Sequence, residues 1–291
     1  MEPFMIKVPA TSANLGLGFD SIGVAVDRFL TIKAEVANEW SFDFKDEELK
    51  GLPSDKSNLV AQTAVQVAQK YNQKMPALKV IMSSEIPLSH GLGSSSSAIV
   101  AGIELANHFL DLNLSDFDKV LLGTEIEGHP DNVGPCVTGD VFVGYYDNKT
   151  LYYETIKLEG ISLIVSVPAY EISTNEARKA LPDSYSRYDA VAQNATSNVM
   201  LIAMMKKDYK VMGELMMQDR LHEPYRQPLI KEFDDVKQTA LKYGAYATVI
   251  SGAGPTIMTF CPKDKEENIL QALGQLEGLT HQSVNVFSFK K

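Results

Sequence analysis

The segment Pro87-Leu88-Ser89-His90-Gly91-Leu92-Gly93-Ser94-Ser95-Ser96-Ser97 sets two glycines ahead of four consecutive serines, and an apolar run follows at once. Glycine and serine together compose flexible linkers. The flanks argue otherwise. Upstream, residues 78–82 read as a strand; downstream, Ala98, Ile99, Val100, Ile103, Leu105, Ala106, Phe109 and Leu110 form the apolar stripe of a helix. The serines therefore stand where a strand gives way to a helix. The first N–H groups of a helix have no internal partner, and the macrodipole adds positive partial charge there. Glycines let backbone approach a ligand, and hydroxyls add donors. The segment is predicted to hold an anion, typically phosphate. No Gly-Lys-Ser/Thr follows the glycines, so this is not a Walker A loop.

Two further clusters carry chemistry. In Pro9-Ala10-Thr11-Ser12-Ala13-Asn14-Leu15-Gly16-Leu17-Gly18-Phe19-Asp20, the plain reading is a glycine-rich turn between strands, with Asn14 and Asp20 as turn formers. As the wall of a site, the same residues offer Asn14 to a hydroxyl and Asp20 to an ammonium group. In Glu125-Ile126-Glu127-Gly128-His129-Pro130-Asp131-Asn132, two glutamates, an aspartate, a histidine and an asparagine fall within eight positions. The plain reading there is a charged helix end and a turn at Pro130. Magnesium takes hard oxygen ligands and needs only one or two carboxylates beside phosphate, so a glutamate here and a serine from the first segment would suffice. Asp131 is a candidate general base towards a hydroxyl.

Several elements must position these groups. Strands are expected at 4–9, ending at Pro9, at 22–36 and at 78–82, and helices at 58–71 and 116–127, the latter capped by Ser115. Residues 141–146 and 151–153 around Asp147-Asn148 read as a hairpin. Beyond it, strands are expected at 163–167, 247–250, 256–260 and 283–289, and helices at 188–205, 211–217, 233–243 and 266–276. The methionines of 200–217 read as core filler. Strands and helices mix without regular alternation, which predicts an α+β fold, with a boundary near 155–160.

Composition narrows the functional classes. The 291 residues are 45% hydrophobic and 22% charged, the balance of a soluble globular chain. The net charge of −10 argues against nucleic-acid binding by phosphate neutralisation, yet leaves room for a small anion held by local geometry. Two isolated cysteines, Cys136 and Cys261, make no disulfide framework. Neither a leader pattern nor a membrane-length apolar run occurs, so a cytoplasmic protein with no membrane partner is expected.

The order of the three segments, completed by Ser251-Gly252-Ala253-Gly254-Pro255-Thr256, resembles the GHMP small-molecule kinases, and within them the members that act on L-homoserine. The resemblance spans residues 9 to 256, and the first and third segments are its most specific parts. It implies two domains: an N-terminal one, 1–156, related to ribosomal protein S5 domain 2, and a ferredoxin-like C-terminal one, 157–291. It implies transfer of phosphate from ATP, with Mg2+, to the side-chain hydroxyl of L-homoserine in threonine biosynthesis, and a homodimer as in many family members. By motif position, Pro87 to Ser97 would cradle the ATP phosphates, and Ser95 with Glu125 would hold Mg2+, Glu127 being the alternative. Asn14, Asp20, His129 and Asn132 match substrate positions. So do Thr174 and Arg178 of Ser173-Thr174-Asn175-Glu176-Ala177-Arg178, and Arg226 of His222-Glu223-Pro224-Tyr225-Arg226, with Arg220 a weaker alternative. Guanidinium forks bind carboxylates bidentately, in keeping with that assignment. Asn14, Asp131 and Asn132 are the catalytic candidates, with the hydroxyl oriented and no base essential. Leu17 departs from the proline common in the first segment.

Two other readings stay open at the level of sequence. Another member of the family could take mevalonate, but mevalonate has no ammonium group for Asp20. An ATP-binding sensor without catalysis is the other, and intact Ser95, Glu125 and Asn132 argue against it.

Overall fold

A computed structural model describes residues 3–289. Strands β1 (Phe4–Asn14) and β2 (Gly18–Val36) pair antiparallel around a turn at Leu15, Gly16 and Leu17. The first strand does not end at Pro9. It continues through a register shift between Pro9 and Ala10, the kind of irregularity at which a strand tolerates a residue with no N–H.

The first half continues with β3 (Ser41–Phe44), α1 (Leu59–Lys70), β4 (Leu78–Ser84), α2 (Ser94–Phe109), α3 (Asp116–Glu127), α4 (Val133–Thr138), β5 (Val141–Tyr146) and β6 (Leu151–Ile156). The strands form one sheet in the order β3-β4-β2-β5-β6, with β1 also on β2. The 19-residue β2 is its spine: residues 30–36 pair with β4 and residues 22–24 with β5. Helix α1 is capped by the Asn58 side chain, which accepts from the Val60 N–H at 3.0 Å. It buries Val60, Ala61, Ala64, Val67 and Ala68 against α2. The crossing is close because Gly102 has no side chain; a Cβ there would strike Val60 and Thr63. Helix α3 opens with a reciprocal Ser115–Asp118 capping box and stops at Gly128, φ 94°. Those two signals place Glu127 in its last turn.

The second half comprises β7 (Ile161–Pro168), α5 (Thr174–Lys179), α6 (Arg187–Met205), α7 (Tyr209–Met216), α8 (Glu223–Arg226), α9 (Phe233–Lys242), β8 (Ala247–Ile250), β9 (Ile257–Pro262), α10 (Glu266–Leu273) and β10 (Leu279–Val284). Its sheet is antiparallel in the order β10-β7-β9-β8. That order is the ferredoxin-like arrangement, so both the α+β class and the second-half fold stand as expected. Residues 157–160 link the two sheets, the basis on which we propose units 1–156 and 157–291. The main core ignores that division: Ile103 and Phe142 belong to one cluster with Met200, Met212 and Phe260.

The last strand is a correction. Instead of 283–289, β10 occupies Leu279–Val284, whose Thr280-His281-Gln282 centre carries no apolar alternation to announce it. The following residues leave the second sheet and return to the first. The Phe287 N–H donates to Ala25 O at 2.9 Å, the Asp140 N–H to Phe287 O at 2.8 Å and the Asp27 N–H to Asn285 O at 3.0 Å. Among the described residues, no helix is long and apolar enough to cross a membrane.

Candidate active site

Both halves open onto one cavity of about 530 Å3. The serine segment forms one wall. Ser94 begins α2, and Gly93, φ 71°, is its cap. A Cβ on Gly93 would run into Thr11 Oγ1, so only glycine admits this approach of the helix start to β1. Cross-bonds hold the loop in place. The Thr11 N–H donates to Leu92 O at 3.2 Å, Ser251 Oγ to Gly91 O at 2.6 Å and the Thr256 N–H to His90 O at 3.2 Å. Leu88, Ser89, His90, Gly91, Gly93, Ser94, Ser95 and Ser96 line the cavity. Pro87, Leu92 and Ser97 lie behind this lining. Leu92 is in the core, and Ser97 turns inward to donate to Pro9 O and Gly93 O, each at 3.0 Å.

Beyond the loop the cavity becomes apolar, with Leu30, Leu49, Leu52, Pro53 and Met82 beside Asn58 and Gln62. Sequence reasoning missed this end. Its residues come from β2, β4, α1 and the connection before α1, and none sits in a motif.

The two candidate carboxylates at the end of α3 face different ways. Glu125 is exposed, pairs with Lys70 and lies outside the cavity lining. Glu127, two positions later and rotated by about 200° around the helix, lines the cavity instead. Burial raises the Glu127 carboxyl pKa above its ordinary value; Asp131 adds to this, while His129, the Ser96 hydroxyl and Arg178 oppose it. Asp131 is buried and accepts from His129 Nδ1 at 2.5 Å. Burial works against the charged His129 ring, but the bond and charge of Asp131, then Asp20 and Glu127, outweigh it and raise its pKa. Thr11, which no motif argument had singled out, donates its hydroxyl to Asn132 Oδ1 at 2.8 Å. That bond orients the Asn132 amide.

At the far end, Asn14 and Asp20 both take the left-handed conformation, φ 73° and 55°, which short polar side chains tolerate. Asn14 Nδ2 donates to Gly252 O at 2.8 Å, and Asn14 Oδ1 accepts the Asp20 N–H at 3.1 Å. Asn14 thus braces the wall as well as lining it. Asp20 makes a two-pronged pair with Arg178, at 2.9 and 3.2 Å. Arg226 is buried, donating to Gly252 O at 3.0 Å and Ala177 O at 3.3 Å. Burial and then the neighbouring Arg178 lower its pKa. Thr174 also lines the cavity, at the start of α5 behind the Ser173 cap. Arg220 does not; it pairs with Asp189 at 3.0 Å. The cavity therefore joins a serine-rich helix start to a zwitterion-shaped set of charges, with Asp131 and Asn132 between.

The models for the GHMP kinases N terminal domain and the GHMP kinases C terminal match residues 58–140 and 200–277. A homoserine kinase of Staphylococcus epidermidis is 46% identical over 277 residues, covering 94% of this chain and 90% of the relative. The chain belongs to the homoserine kinases of the GHMP kinase family. A homoserine kinase of Staphylococcus haemolyticus is likewise 46% identical, over 97% of this chain and 94% of its own. The solved homoserine kinase of Cytophaga hutchinsonii superposes with a TM-score of 0.86 at 27% identity, over 98% of this kinase and 95% of that chain. A mevalonate kinase structure, with TM-score 0.76 and 17% identity over 98% of this chain and 100% of that one, shares the fold.

Proposed function

We infer that the kinase transfers the γ-phosphoryl group of ATP to the side-chain hydroxyl of L-homoserine, forming O-phospho-L-homoserine for threonine biosynthesis. The observation that carries this reading is one cavity lined both by a helix-start phosphate cradle and by Asp20, Arg178 and Arg226. The N–H groups at the start of α2 and the Ser94 to Ser96 hydroxyls receive the phosphates. The apolar end beside Leu49, Leu52 and Met82 accepts the base.

The residues present fit Mg2+. Glu127 and the Ser95 and Ser96 hydroxyls supply hard oxygen donors beside the cradle, and the Ser96 hydroxyl favours the charged Glu127 carboxylate. When bound, the ion neutralises charge on the phosphates. We assign the carboxylate role to Glu127 in place of Glu125.

At the acceptor end, the substrate ammonium takes Asp20 and its carboxylate takes Arg178 and Arg226. One ion pair within the protein is thereby exchanged for pairs to the substrate. Phosphoryl transfer depends mainly on positioning and charge. Asp131 spends an oxygen on His129, so we assign it to fixing that ring and the Asn132 amide, not to an essential base. An Asp131→Asn variant that folds and binds ATP yet loses more than about a thousandfold in turnover would overturn that part, because general bases contribute roughly 10²–10⁴.

The whole reading is tested by ADP release with Mg·ATP and L-homoserine, L-threonine, L-serine, mevalonate or no acceptor. Turnover confined to L-homoserine is expected. Turnover with mevalonate alone sinks the zwitterion assignment.

A further inference from the structure

The two arginines assigned to the substrate carboxylate pose a physical problem. Two like charges in a half-buried site repel, and Arg226 already has its pKa lowered by burial and by Arg178. Each needs a partner that does not consume the N–H groups meant for substrate. Phe19 meets that need. It is half-buried, and the guanidinium carbons of Arg178 and Arg226 lie over its ring at 5.8 and 5.1 Å from the centroid. The face of an aromatic ring is electrostatically negative and attracts cations without occupying a hydrogen-bond donor.

The ring is itself held by a stacked neighbour. His222 stacks on it at 5.3 Å with 20° between planes. His222 is fully buried, its Nε2 lies 2.8 Å from Gly16 O, and its backbone N–H donates to Asp219 at 2.8 Å. Burial lowers the His222 pKa, keeping it neutral, so it adds no third positive charge. A supported stack therefore runs from the His222 ring through Phe19 to both guanidinium groups. Phe19 makes no hydrogen bond to a substrate group and is a positioning residue.

We propose that Phe19 is the shared platform that holds Arg178 and Arg226 in register for an acceptor carboxylate, and so sets the preference for amino-acid acceptors over amino alcohols. This rests on the assignment of the arginines to the L-homoserine carboxylate. Steady-state kinetics of the full chain with L-homoserine and with 3-amino-1-propanol, which lacks the carboxylate, separate the two ideas. Wild-type enzyme without preference for L-homoserine over the amino alcohol overturns the carboxylate assignment, and this inference with it. With the preference present, Phe19→Leu raises the L-homoserine KM by roughly tenfold, the size expected for losing two partly desolvated cation–π contacts. The KM for Mg·ATP and the turnover of 3-amino-1-propanol stay within about twofold, and Phe19→Tyr restores the L-homoserine KM. Site-specific 3,4,5-trifluorophenylalanine at position 19 keeps the ring's shape and removes its negative face; it shifts the L-homoserine KM in the same direction as Phe19→Leu, whether or not the leucine variant folds. An unchanged KM in the fluorinated protein, or equal losses with both acceptors, overturns the proposal.

Discussion

Exchanging Glu127 for glutamine, beside the same exchange at Glu125, separates two carboxylates that the sequence left as alternatives. Glu125 is exposed and paired with Lys70, their side chains 38% and 46% accessible. A surface pair of that kind contributes about 0–1 kcal/mol, and it touches nothing in the cavity. Glu125→Gln should leave turnover within about twofold and shift stability by less than about 1 kcal/mol. Glu127 lies in the cavity against Ser96, where charge on the transferring phosphate must be balanced. Removing one preorganised electrostatic group from a reacting site costs about 2.7–4 kcal/mol, or roughly 10²–10³ in turnover. Glu127→Gln should therefore lower kcat by that factor and raise the Mg2+ concentration needed for half-maximal rate. Stability should move the other way. Burial raises the Glu127 pKa, so carrying its charge at neutral pH costs the folded state, and the amide removes that cost. The assay is ADP release across a Mg2+ titration, with thermal melts of the metal-free proteins. Turnover of Glu127→Gln within about threefold of wild type, or a larger loss in Glu125→Gln, refutes the assignment.

Thr11→Val keeps the shape of the side chain and strands Asn132 Oδ1 without its 2.8 Å donor. A half-buried acceptor left without its donor loses a hydrogen bond worth about 0.5–1.5 kcal/mol and its fixed orientation, so kcat should fall by roughly two- to tenfold with ATP binding intact, as read by steady-state kinetics and calorimetry. Gly93→Ala forces a Cβ into Thr11 Oγ1 at φ 71°; it should destabilise by about 1–3 kcal/mol in thermal melts and raise the KM for ATP. Glu223 is buried, accepts the Ile250 N–H at 2.6 Å and has its pKa pushed by burial from 4.5 up to about 8. The folded state then holds the proton more tightly than the unfolded one, and stability falls as pH rises from the ordinary value through about 8. Glu223→Gln removes that slope, so melts should show the variant gaining on wild type between pH 5 and about 8 and holding a constant lead above it.

What could be seen in the sequence was local. The Ser115 cap and the hairpin at Asp147-Asn148 announce α3 and β5 with bounds that the structure keeps, while β6 runs on from 153 to Ile156. The cradle was legible because its glycines, serines and following apolar stripe are contiguous. The apolar end of the cavity was not, since Leu30, Leu52 and Met82 are ordinary core residues until topology brings them to one surface. Glu125 and Glu127 differ only in the side of α3 on which they emerge, and the last turn of a helix gives a weak period from which to decide. Thr11 and Phe19 stood inside a motif without a role, because their roles depend on Asn132, Arg178 and Arg226, each more than a hundred positions away.

The return of residues 285–287 to the first sheet bears on the order in which the molecule can be made. Ala25 and Asp27 of β2 leave a ribosome well before their backbone partners, Phe287 and Asn285. Until then that edge of the sheet stays open, and the wall carrying Asn14 and Asp20 lacks its backing from Met216 and Gly252 as well. The substrate wall is thus completed only once these later segments dock, and a nascent chain cut short before them carries the phosphate motif without that backing.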